Sequence, residues 1–223
     1  MKMNFPKHLF DSCKEFSDRQ LTCFSISCLG LLCNGTQEFV TANLQELEAA
    51  WKVEGINLTP NFMADFYDEL VSCFESGRRP SPSSFEQIDK SYVDRDSASG
   101  NLEPSGLLLF GFARTLARYT HLNFQSALSA EQIFAEVKAT LLQCLCMGLF
   151  NTSEPYSPCG EEMEKVVHDT DSLKQGIKDL ECVIDLAKAE KILPRQDRNW
   201  DYEFFQFPFD GSKNRDMDKY NTL

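Results

Sequence analysis

The sequence predicts an all-α protein, a bundle of about seven helices with a long polar loop near 78–105, a long C-terminal helix near 160–193 and an extended aromatic tail. Three observations point there. Apolar residues recur at three- and four-residue steps in nearly every segment, as in helices that bury one stripe. Cap and stop chemistry, such as Ser129-Ala-Glu-Gln132 and Asn34-Gly35, falls where those stripes begin and end. The strand signature, apolar and polar residues in alternation, is missing before residue 199.

Taken in order, Phe5, Leu9, Phe10, Cys13 and Phe16 give a first short helical segment. Asp18 is the expected cap of a second, Arg19 to Cys33, apolar nearly all round and so buried, with Asn34-Gly35 as its stop. Thr36 is read as the cap of a third, in which Val40, Leu44, Leu47 and Trp51 form one stripe ended by Gly55. Thr59-Pro60 opens a fourth, whose aromatic face of Phe62, Phe66, Tyr67 and Phe74 stops at Gly77. From Arg78 to Ser105 the composition turns polar, with only Phe85, Ile88, Tyr92, Val93 and Leu102 to bury. A flexible loop is the reading, because so little burial does not offset ordering entropy.

Helices resume after Ser105. Leu108, Leu109, Phe112, Ala113, Leu116 and Ala117 are expected inward, and the capping box at Ser129 starts a further helix to Phe150. The longest element follows. Met163, Val166, Thr170, Leu173, Ile177, Leu180, Ile184, Ala187 and Lys191 keep a 3-4 spacing between Ser157 and Pro194. Such a seam suits either a coiled-coil pair or the chain's own core. Of its g–e pairs only Asp169–Lys174 matches in charge, and Val167 and Val183 widen the stripe, so packing within the chain is expected. The expected organisation is a helical segment over 1–77, the loop over 78–105, a helical segment over 106–210 packed on the first as one domain, and a disordered tail over 211–223.

Composition limits the function classes. The 223 residues carry a formal charge of −12, which argues against direct nucleic-acid binding and is compatible with a basic protein partner. The apolar runs Leu21–Cys33 and Leu141–Phe150 fall short of the about 20 residues a membrane span takes, so no membrane association is expected. No signal-peptide pattern opens the chain, and the nine cysteines, mostly in apolar stripes, read as reduced thiols. An intracellular location, cytoplasmic or nuclear, follows as the expectation.

Chemistry is sparse. Glu164, His168 and Asp171 lack the Glu-x-x-His spacing and second motif of a di-metal bundle. The cysteine spacings do not suit zinc, and no phosphate-binding or nucleophile-elbow motif is present. No metal, no cofactor and no catalytic set is therefore assigned. Cys159, in Ser-Pro-Cys-Gly ahead of a helix, is the one thiol whose setting could activate it. Ser81, after Arg78-Arg79-Pro80 and before Pro82, is a candidate phosphosite.

The tail is the strongest functional candidate. Trp200, Tyr202, Phe204, Phe205, Phe207 and Phe209 stand among Asp201, Glu203 and Gln206, and aromatics in this number must be covered by the chain's own helices or by a partner. The resulting reading is a non-enzymatic interaction module or subunit of an intracellular complex, an adaptor, scaffold or regulator. A small helical enzyme using a reactive cysteine is the alternative. Oligomeric state is left open.

Overall fold

The computed structural model describes residues 9–53, 55–56, 58–91, 102, 104–147, 171–198 and 200. They form seven α-helices and one 3-10 turn, Asp11–Glu15, with no strand among the described residues. The helices are α1 (Asp18–Ala42), α2 (Leu44–Val53), α3 (Phe62–Ser76), α4 (Pro82–Ser91), α5 (Pro104–Phe124), α6 (Ala130–Met147) and α7 (Asp171–Lys188). The all-α bundle is thus as expected. No described helix is long and apolar enough to cross a membrane.

Helix α1 is the spine. Every residue from Cys23 to Cys33 is buried, because α3, α5, α6 and α7 all pack against it. Its cap is Ser17, one residue earlier than Asp18: Ser17 Oγ accepts from Gln20 N at 3.2 Å while Gln20 Oε1 accepts from Ser17 N at 3.0 Å. The expected stop at Asn34-Gly35 does not occur. Gly35 is buried, and Asn34 turns its amide onto Arg195, donating to its carbonyl at 3.0 Å and accepting from its guanidinium at 3.1 Å. Tertiary packing thus outweighs the local stop signal. The break comes at Asn43, whose side-chain and backbone N–H groups both donate to Phe39 O, and α2 starts at once. Thr36, read as a cap, lies inside α1.

Two close approaches fix the packing. A Cβ on Gly106 would lie 1.9 Å from Phe39 Cδ2, so the head of α5 meets α1 with no room for a methyl group. One on Gly30 would sit 2.9 Å from Tyr67 Cε2, which brings α3 equally near.

The polar stretch after Gly77 departs most from expectation. Gly77, at φ +67°, ends α3, and Arg78 N reaches back to Cys73 O. Residues 82–91, read as loop, are helix α4. Pro82 occupies its first turn, where the missing N–H costs nothing. Ile88 and Ser91 are buried, Asp89 pairs with Arg114 of α5 at 2.7 Å, and Trp51 Nε1 donates to Ser91 O at 2.7 Å. So few apolar positions leave a weak periodic signal, and contacts with α2, α3 and α5 supply the stability. Residues 92–101 and 103 lie outside the described residues.

On α5, Leu107, Leu109, Phe110, Ala113, Leu116 and Ala117 are buried, whereas Leu108, expected inward, is 40% exposed. Phe112 is half-buried, so Leu107 and Phe110 take the inward places expected of Leu108 and Phe112, while Leu109, Ala113, Leu116 and Ala117 face inward as expected. The Ser129 capping box of α6 is present as read, with Gln132 N donating to Ser129 Oγ at 3.2 Å and Gln132 Oε1 accepting from Ser129 N at 3.0 Å. Of the long C-terminal helix, 171–188 is described and 148–170 lies outside the described residues. Its seam faces the chain's own core: Ile177, Leu180, Val183, Ile184 and Ala187 are buried, and the helix packs on α1. One apolar cluster takes in residues from Phe10 to Trp200, on both sides of the polar stretch.

Thr36 provides a test of this arrangement. Its hydroxyl is fully buried and has no hydrogen-bond partner among the described residues, a desolvation cost. Thr36→Val keeps the shape and removes the hydroxyl, so it should leave stability unchanged or raise it by up to ~1–2 kcal/mol. Urea unfolding measures this, and a clear loss of stability would contradict the placement of Thr36.

Candidate functional site

After α7 the chain turns at Glu190, φ +56°, and runs back over α1. Polar groups on α1 and α3 mark its path. Arg19 pairs with Glu190 at 2.8 Å, Ser27 Oγ accepts from Leu193 N at 2.9 Å, and Tyr67 donates its hydroxyl to Leu193 O at 2.6 Å. Trp200 is the last described residue of this strap. Its backbone N–H donates to Leu31 O at 2.7 Å and its indole Nε1 to Asp179 Oδ2 at 3.0 Å. Asp179, itself 3% exposed, also accepts from Gln175 and Arg198, each at 2.8 Å. A buried carboxylate is tolerated because these donors replace its lost hydration.

Trp200 is fully buried, so the first of the six aromatics expected to meet a partner is instead a core residue of its own bundle. The ring's large apolar area favours burial in the core, and Asp179 supplies the acceptor that its indole N–H then needs. Tyr202, Phe204, Phe205, Phe207 and Phe209 lie outside the described residues, as do Cys159, Glu164 and His168. Asp171 is the first residue of α7.

Ser81 stands at the head of α4, half-buried, with Arg78 and Arg79 exposed just before it. Its N–H donates to Glu69 Oε1 at 2.6 Å, and its hydroxyl shares a 2.7 Å hydrogen bond with Ser83. Its position in the chain's basic stretch is as read; its setting on a helix is not.

Between α3 and α4 lies a cleft of about 240 Å³, open along one side. Phe62, Phe66 and Ile88 line its apolar part, and Asp65 and Glu69, one helical turn apart on α3, supply two carboxylates. No described lining residue is basic, and neither carboxylate forms an ion pair with a described residue. The cleft escaped the sequence reading because its second wall is α4. Pro82 as a first-turn residue, with Phe85 and Ile88 one turn apart, was the available signal.

Behind the cleft, His121 is 7% exposed and its ring stacks on Phe85 at 4.7 Å between centroids. Its Nδ1 has no partner among the described residues, and burial pushes its pKa down, opposed by the charge of Glu69. Cys13, Cys23, Cys28, Cys33, Cys73 and Cys182 are free, and no group of three or more metal-ligating side chains occurs among the described residues. Burial pushes the thiols of Cys13 and Cys23 up to about 11, and those of Cys28, Cys33 and Cys73 upward as well. A thiol held protonated at neutral pH is a poor nucleophile. The chain matches no protein-family model, no curated protein and no solved structure.

These thiols give stability a pH dependence. Unfolded thiols ionise near their ordinary pKa of about 8.5, whereas Cys13 and Cys23 in the folded chain keep their protons to about 11. The folded state then binds more protons than the unfolded one, so stability is full below about pH 8.5 and falls as pH rises toward 11. Urea unfolding at successive pH values should show this fall, and Cys23→Ala should reduce its slope. An unaltered slope would place Cys23 in contact with water.

Proposed function

We propose that the chain is a non-enzymatic protein–protein interaction module, an adaptor, scaffold or regulatory subunit of an intracellular complex. The partner docks on the segment that follows Trp200, through Tyr202, Phe204, Phe205, Phe207 and Phe209. One observation carries the reading: Trp200 is fixed between α1 and α7 by its indole and its backbone N–H, so the acidic, aromatic segment starts from a rigid root. A segment tethered at a defined point loses less freedom on docking than a free peptide does. Alternating carboxylates and large rings favour a partner with an apolar groove and a basic rim.

Buried thiols at Cys13, Cys23, Cys28, Cys33 and Cys73, held protonated, support a role without cysteine nucleophiles at those positions, and their unpaired state agrees with a reducing, cytoplasmic or nuclear setting. Phosphorylation of Ser81 fits this reading as a regulatory modification.

Truncation after Trp200 tests the reading. Removal of 201–223 should shift the melting temperature by less than about 2 °C, below roughly 1 kcal/mol for a chain of this size. It should also abolish the stoichiometric partners that the intact chain retains in affinity purification. Trp200→Ala, in contrast, empties a core position and should cost about 3–5 kcal/mol. If truncation destabilises the chain and exposes apolar surface to a hydrophobic dye, the segment belongs to the bundle. If partners persist after truncation, docking lies elsewhere.

A further inference from the structure

The cleft between α3 and α4 is lined by no residue of the strap 189–200. We propose that it is a receptor for a single arginine or lysine side chain presented by a basic segment of a protein partner. The inference rests on the reading of the chain as an interaction module but uses a different surface, so either can fail alone.

Shape and charge both choose this occupant. At about 240 Å³ the cleft is smaller than most metabolite pockets, which run ~300–1,000 Å³, and suits one long side chain. Phe62, Phe66 and Ile88 give the methylene stem an apolar wall, while Asp65 and Glu69 receive the charged head. Residues one turn apart on a helix present their side chains side by side, the arrangement a guanidinium fork can bridge. Asp65 is exposed, without a partner among the described residues, and Glu69 has an oxygen beyond the one that accepts from Ser81 N. The formal charge of −12 repels any acidic partner, and the chain's own tail carries Lys213, Arg215 and Lys219 among five carboxylates, so its removal distinguishes an internal occupant from an external one.

Substitutions can remove the charge and keep the fold. Glu69→Gln leaves an amide oxygen to accept from Ser81 N, and Asp65→Asn is isosteric at an exposed position. A synthetic peptide of Leu-Arg-Ser repeats serves as the probe, with citrulline replacing arginine as the neutral control of equal shape. The arginine peptide should bind and shift backbone amide resonances confined to 58–69 and 84–88. Citrulline, and the Asp65→Asn, Glu69→Gln double variant, should each weaken binding at least about tenfold, with an unchanged melting temperature in the variant; a tenfold loss corresponds to about 1.4 kcal/mol. Ser84→Lys, which supplies a cation from the cleft's own wall, should also suppress binding, so the idea stays testable if the double variant fails to fold. Removal of 201–223 should leave the peptide affinity unchanged, which separates this site from the tail. No binding of the arginine peptide, equal binding of the citrulline peptide, undiminished binding to the charge variants, or resonance shifts elsewhere would each overturn the proposal.

Discussion

A helix with no face toward water imposes its requirements on everything around it. Over Cys23–Cys33, α1 is covered on all sides, so each side chain there must be apolar, small, or supplied with a partner. The sequence meets this with Leu, Ile, Phe and Cys, and with two serines whose hydroxyls are both engaged. Ser25 Oγ donates to Leu21 O at 2.9 Å, and Ser27 Oγ accepts from Leu193 N at 2.9 Å. The second of these bonds also guides the strap. Leu31 O and Asn34 continue the line, so the few polar groups of the buried helix set the route along which 189–200 lies.

The same burial sets the chemistry. Thiols on α1 are buried, and desolvation raises their pKa, opposed only in part by Arg19 at Cys23 and by Arg195 at Cys33. Nucleophilic roles are therefore unfavourable at those positions. Two features carry the proposed recognition. One is the rooted segment after Trp200; the other is the acidic cleft, which exists because Trp51, Asp89 and Ile88 hold α4 against α2, α5 and α3.

What could be read from the residues alone divides along a physical line. Strong, wide apolar stripes, as on α1, α3 and α7, survive in the structure, because burial of many side chains outweighs any local preference. The Ser129 box was equally legible, since a cap depends on residues within one turn. Signals decided by distant contacts were not. Asn34-Gly35 reads as a stop and is overruled by Arg195; Pro82 reads as loop and starts a helix that Trp51 and Arg114 secure. Trp200 looked like partner surface because its acceptor, Asp179, is on another element. The cleft was hidden for the same reason, with one wall on each of two helices.

If α1 is the spine on which the rest assembles, its amides open only when the whole molecule unfolds. Native-state hydrogen exchange measures this directly. The account predicts that amides of 23–33 exchange slowest, with a free energy equal to that of global unfolding, while those of α4 and the strap exchange through smaller openings. Exchange of the 23–33 amides at a lower free energy than those of α5 or α7 would contradict it.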